Sequence, residues 1–141
     1  MGTTAGPGNA SPVAGKMGLA PGLVVQELGW DEDVDDELRI ALEDAIDGEL
    51  IEEAMEAVDA VVLWWREDDG DLVDGLVDAL TDLTSTGYIW LLTPKVGRDG
   101  HVDPAEVAES ATTAGLQQTS TATVSDDWAA TKLVRPKMGR K

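Results

Sequence analysis

Apolar and polar positions fall in two kinds of block along this chain. Leu23-Val-Val-Gln-Glu-Leu28 is short, apolar and partly β-branched, a strand pattern, and Pro21-Gly22 before it is a turn signature. From Val34 to Ile46 the residues Val34, Leu38, Ala41, Leu42, Ala45 and Ile46 recur at helical spacing, with Asp31 to Asp33 as candidate caps. Carboxylates in that first turn suit the helix dipole. Gly48 ends the helix, and Glu49-Leu-Ile-Glu52 fits a short edge strand. Val58-Asp-Ala-Val-Val-Leu-Trp-Trp65 is apolar almost throughout, as a strand covered on both faces must be. Asp68 to Asp71 is a turn and helix start, and Leu72, Val73, Leu76, Val77, Leu80 and Leu83 mark the buried stripe of a second helix, closed by Thr84 to Gly87. Tyr88-Ile-Trp-Leu-Leu-Thr93 is another buried strand, stopped by Pro94. A polar loop follows. Asp103-Pro104 then reads as an N-cap with proline at the first helical position, and this helix runs to about Ala114. Thr119 to Val124 and Thr131 to Val134, joined by Ser125 to Ala130, have the spacing of an antiparallel hairpin.

Strands alternating with helices require right-handed crossovers, hence parallel neighbours. The expected fold is a three-layer α/β sandwich: a mostly parallel, doubly wound sheet with a C-terminal antiparallel hairpin at its edge. Residues 1–15 are dominated by Gly, Ala, Pro, Ser and Thr and read as a disordered tail, residues 16–137 as a single α/β domain, and residues 138–141 as a basic C-terminal tail.

Charge narrows the partners. The formal net charge is −18, and between Glu27 and Asp82 the only basic residues are Arg39 and Arg66. Such a segment repels nucleic acid and anionic membrane surfaces and suits a protein partner with a basic surface, or serves only solubility. There is no cysteine, which excludes disulfides, thiolate catalysis and zinc–sulfur sites. No apolar run is long enough for a membrane span and no secretory signal pattern opens the chain, so a cytoplasmic location is expected.

Two resemblances bear on the fold. The element order, and Leu19-Ala-Pro-Gly22 before the first strand, are similar to the Rossmann-like fold of class I methyltransferases. Lys16-Met-Gly-Leu-Ala-Pro-Gly22, Gln26-Glu-Leu-Gly-Trp-Asp31, Val61-Val-Leu-Trp-Trp65, Ile89-Trp-Leu-Leu-Thr-Pro-Lys95 and Thr113-Ala-Gly-Leu-Gln-Gln-Thr119 resemble more closely the mainly actinobacterial family catalogued as domain of unknown function 3052. The resemblance covers Lys16 to about Lys137. It implies an α/β fold and a bacterial cytoplasmic protein, and it supplies no catalytic residues.

A nucleotide-type cofactor needs glycines in the turn after the first strand, so that the backbone can approach it closely. Here that turn is Glu27-Leu-Gly-Trp-Asp-Glu-Asp33: Gly29 is its one glycine, bulky Trp30 adjoins it, and the carboxylates from Asp31 to Glu37 crowd the helix N-terminus. NAD or FAD phosphates meet that charge head-on; S-adenosylmethionine, cationic at sulfur, does not. No cofactor is expected, with Glu27, Gly29 and Trp30 as the candidates if a cofactor site is retained. Asp31, Asp33 and Asp35 imitate the first ligands of an EF-hand, but Asp36 stands where glycine is needed and Leu42 where glutamate is needed, so no metal is expected. His101 is the one histidine, and no spacing joins it to Ser125, Asp126 or Asp127 as a triad, so no catalytic residue is assigned. Trp64, Trp65 and Trp90 read as core, and Trp30 and Trp128 as loop residues. Trp30, Lys95 and Arg98, with Glu27, form the expected rim of a ligand or partner cleft, since Lys95 and Arg98 follow a strand end and are scarce cations able to hold an anion.

Three functions fit these features. The first is a non-catalytic binding or regulatory protein on a degenerate methyltransferase-like scaffold. The second is an S-adenosylmethionine- or nucleoside-binding enzyme or sensor. The third is an acidic nucleic-acid mimic that binds a basic protein.

Overall fold

The computed structural model describes residues 12–136 of the chain. Its helices are α1 (Pro12–Met17), α2 (Asp36–Ile46), α3 (Leu72–Leu80) and α4 (Pro104–Thr113). Its strands are β1 (Val25–Leu28), β2 (Val58–Trp64), β3 (Leu83–Pro94), β4 (Gln117–Ala122) and β5 (Trp128–Val134). The basic tail at 138–141 and residues 1–11 of the N-terminal tail lie outside the described residues; residues 12–15, placed in that tail by composition, belong to α1.

The five strands form one mixed sheet in the order β1-β2-β3-β5-β4. β1–β2 and β2–β3 are parallel, whereas β3–β5 and β5–β4 are antiparallel. The sheet is therefore not mostly parallel in its pairings. β5 turns back between β3 and β4, and this one reversed strand makes two antiparallel ladders. Apolar residues on the two faces build two clusters. Leu38, Leu42 and Ile46 of α2 pack with Val62, Trp64, Trp90 and Leu92 on one face. Leu72 and Leu76 of α3 and Val107 and Ala111 of α4 pack with Val61, Leu63, Ile89 and Leu91 on the other.

Alternation along β2 sends Trp64 to the first cluster and Trp65 to the second, as the period of a strand requires. The second arrangement needs Gly75, mid-helix in α3: a Cβ there would stand 2.5 Å from the Trp65 ring. Glycine is a poor helix former, but here it lets α3 settle on the indole.

Several boundaries move. The cap of α2 is Asp35, whose side chain accepts from the Leu38 N–H, rather than Asp31 to Asp33. β3 begins at Leu83, so the segment expected to close α3 is already strand, joined irregularly to Val58. Trp128 is no loop residue. It opens β5 opposite Pro94, is buried, and meets Trp64 edge-to-face at 4.9 Å between centroids.

Candidate functional site at the strand ends

The connection out of β1 decides where this sheet has a crevice. Gln26 pairs with Val61 of β2 on one side and forms a parallel bridge with Ile51. A strand has two edges, and β2 occupies one, so Ile51 lies on the other. Glu27 N–H donates to the Ile51 carbonyl at 2.7 Å and Ile51 N–H to the Val25 carbonyl at 3.0 Å. The chain thus leaves β1 through α2 to its outer edge, then returns past it to β2. Connections run in opposite directions from β1, and the gap outside the C-terminal ends of β1 and β2 is where open α/β sheets hold ligands.

The chain's own side chains fill that gap. Glu27, at the end of β1, is buried, and its carboxylate accepts Arg39 Nε at 2.7 Å, Arg39 Nη2 at 2.8 Å and Trp64 Nε1 at 2.9 Å. A bidentate guanidinium and an indole N–H are what a carboxylate out of water requires. Donating these hydrogen bonds to Glu27 in turn holds the Arg39 guanidinium above its ordinary range, against the opposing effect of burial.

Arg66 follows β2 and is the residue that sequence reasoning missed. Its guanidinium donates to the Gly29 carbonyl at 2.7 Å, pairs with both carboxylate oxygens of Asp33, reaches Asp69 at 3.3 Å, and stacks 5.2 Å from the Trp128 ring centroid. Burial pulls this guanidinium down, and the hydrogen bonds and charges of Asp33 and Asp69 more than reverse that. Arg66's hydrogen bond holds Asp33 below the usual carboxylate range, against the opposing effect of burial. The signal was present in the sequence: Arg66 is one of two cations within a long acidic stretch, directly after a buried strand. Scarce cations there end up as partners of particular carboxylates.

Gly29 is tighter than a phosphate-binding glycine needs to be. Its φ is +77°, and a Cβ on it would lie 2.2 Å from the Trp64 carbonyl oxygen. Its absent side chain makes room for β2, not for a ligand. Trp30, next along, is half exposed.

The expected cleft rim is spread out. Glu27 is interior, and Trp30 projects toward solvent. Arg98 forms an ion pair with Asp127 at 2.8 Å, clamping the β3–α4 loop to the turn before β5. Lys95 lines a separate cavity under α4, together with His101 but with neither Trp30 nor Arg98. The acidic run serves local structure: Asp33 holds Arg66, while Asp35 caps α2 and accepts the Ser125 hydroxyl at 2.6 Å. His101 Nδ1 contacts the Pro94 carbonyl at 2.9 Å, whereas Ser125 binds Asp35. Among the described residues, no group of three or more His, Cys, Asp or Glu is placed to hold a metal ion, and no helix is long and apolar enough to cross a membrane.

Residues 14–137 match the family described as "Protein of unknown function (DUF3052)". The chain belongs to the DUF3052 family. An uncharacterized protein of Mycobacterium tuberculosis strain H37Rv is 52% identical to it over 130 residues, covering 92% of this chain and 82% of the relative. An uncharacterized protein of Mycobacterium bovis matches to the same extent. Among solved structures, the O-methyltransferase NcsB1 from neocarzinostatin biosynthesis, in complex with S-adenosylmethionine and 2-hydroxy-5-methyl naphthoic acid, superposes with a TM-score of 0.60 at 15% identity, over 79% of this chain and 48% of that one. A SAM-dependent methyltransferase from Aquifex aeolicus gives a TM-score of 0.52 at 15% identity, over 86% of both chains. This DUF3052 protein therefore has a methyltransferase-like fold and spans about half the length of NcsB1. At these identities the likeness concerns the fold alone.

Proposed function

We propose that this DUF3052 protein is a non-catalytic binding or regulatory module on a degenerate methyltransferase-like scaffold, with a protein of basic surface as its partner. We read that scaffold as a doubly wound three-layer sandwich with a C-terminal antiparallel hairpin, a reading supported by cores on both sheet faces and by the β4–β5 pairing. One observation carries the functional reading: the Arg66 guanidinium, tied to Gly29, Asp33 and Asp69, stands at the strand ends where a nucleotide-type cofactor would be held. A cationic sulfonium ligand would have to displace a cation already matched to its carboxylates. The Glu27 carboxylate at the end of β1 already accepts three donors in a dry site, so most of its roughly four acceptor positions are taken.

The acidic surface supports a basic partner more than it supports mimicry of nucleic acid. Exposed carboxylates such as Asp36 and Asp44 on α2 and Asp74 and Asp78 on α3 belong to helices on opposite faces of the sheet. A phosphate mimic needs its charges on one surface.

The test is a thermal-unfolding titration with S-adenosylmethionine and S-adenosylhomocysteine. Specific binding at 100 times Kd adds roughly 2.7 kcal/mol of stability. The expected result is no displacement of the transition by either ligand. A saturable upward shift, weakened by Trp30→Ala, overturns the proposal in favour of an S-adenosylmethionine-binding enzyme or sensor.

A further inference from the structure

We infer that the cavity beneath α4 is a binding site for a small carboxylic acid with an apolar body, such as a medium-chain or arylalkyl acid. The cavity encloses about 520 Å³ between the start of α4, the β3–α4 loop and the edge formed by β4 and β5. Small-molecule sites span roughly 300–1,000 Å³, with mostly apolar walls and a few convergent polar groups. This one fits that description. Val96, Val102, Val107 and Ala129 supply apolar wall, and three polar lining residues are neighbours: Thr93 and Lys95 flank Pro94, whose carbonyl His101 contacts.

Two of those polar groups are unmatched within the protein. Thr93 is 95% buried, at 5% exposure, yet its hydroxyl forms no hydrogen bond among the described residues. Buried hydroxyls are normally partnered, so an unpartnered one lining a cavity is a donor awaiting an acceptor. Lys95 is the second. The chain holds 28 carboxylates, all between Glu27 and Asp127, and no ion pair among the described residues engages Lys95. Arg39 and Arg98 each take one, and Arg66 takes two. The Lys95 backbone is fixed, its N–H donating to the Asp127 carbonyl at 2.9 Å, so the base of its side chain is held at the cavity.

His101 completes the polar set. A carbonyl only accepts, so its Nδ1 carries the proton toward Pro94 at 2.9 Å, which holds the ring at the cavity wall. The donor set of an ammonium and a hydroxyl matches a carboxylate. The apolar wall selects a hydrocarbon body over a phosphosugar. The site is independent of whether the β1–β2 crevice binds anything, because none of Gly29, Trp30 and Arg66 lines it.

Octanoate and 3-phenylpropanoate, each against its neutral amide, test this by isothermal titration and amide chemical-shift mapping on the full chain. We expect saturable binding of at least one acid, with shifts centred on Thr93, Lys95, His101 and Thr131. We expect Lys95→Met to weaken the acid at least tenfold and leave the amide's affinity unchanged. Thr121→Trp, on exposed edge strand β4 at the cavity mouth, should abolish binding of both with the folded spectrum intact. Four results would each overturn the inference: no saturable binding of either acid to the wild-type chain, shifts mapping elsewhere, amides binding as tightly as acids, or full affinity in Lys95→Met.

Discussion

At Gly29 the demands of conformation and space coincide. The residue sits at φ +77°, where any other L-residue is strained, and its missing Cβ is replaced by the Trp64 carbonyl. Alanine there must adopt a left-handed backbone and push β2 away from β1 at once. We expect Gly29→Ala to lose roughly 3 kcal/mol or more, read from the midpoint of urea unfolding at constant m-value, whereas Gly97→Ala, with open space around its Cβ, should lose distinctly less. Tyr88 offers a spectroscopic check on burial, because it is the one tyrosine of the chain. Its hydroxyl donates to the Gly18 carbonyl at 2.8 Å, and burial, with a smaller push from Asp59, raises its pKa above 10.0. The fold favours the protonated phenol, so this contribution is full below the unfolded value and is lost as pH rises through the folded one. Absorbance at the tyrosinate band in native protein should therefore titrate above pH 10.0, and in about 8 M urea it should return to about 10.

On the scale of elements, the Glu27–Arg39–Trp64 contact joins β1, α2 and β2 at a single carboxylate. Removing Arg39 strands a charge that is 3% exposed. Arg39→Met should then lose about 2–4 kcal/mol, discounted from the fully buried limit because the Arg39 side chain is itself 28% exposed. Glu27→Gln in the same chain should recover part of that loss, since a neutral amide still accepts from Trp64 Nε1. A double-mutant cycle by urea unfolding measures the coupling, and additive losses would deny that the pair acts as a unit. Elements of this kind were partly legible in the sequence. β2 announced itself because burial on both faces leaves no polar period to misread, and α3 because Leu72 and Leu76 recur at helical spacing with carboxylates between them and beyond. Trp128 did not, because Ser125-Asp126-Asp127 before it reads as loop, and only pairing with Pro94 of a distant strand makes it the first residue of β5. The strand end was legible as a place but not as chemistry. Glycine poverty after β1 could be counted, whereas the cation that closes the crevice came from Arg66, just after β2, joined to Asp33 across 33 positions of sequence.

For the molecule as a whole, repulsion and pairing make opposite predictions about salt. The ion pairs among the described residues engage Glu27, Asp33, Asp69 and Asp127, four of 28 carboxylates. The others face a net charge of −18 with few cations nearby, and self-repulsion of that kind destabilises the compact state. Salt shortens the reach of both effects, from about 30 Å at 0.01 M to about 10 Å at 0.1 M. Of the three ion pairs at the strand ends, Glu27–Arg39 is short and its carboxylate is buried, so it is screened little. The long-range repulsion crosses solvent and is screened strongly. Raising sodium chloride from about 0.01 M to about 0.3 M should therefore raise Tm by about 5 °C, corresponding to about 1 kcal/mol for a domain of this size. Circular dichroism melts at fixed pH measure it, and sodium sulfate at equal ionic strength separates screening from surface-exclusion effects. A fall in Tm over the same range would mean that exposed attractive pairs outweigh the acidic excess, and the account of the surface as an unneutralised field waiting for a basic partner would lose its physical basis.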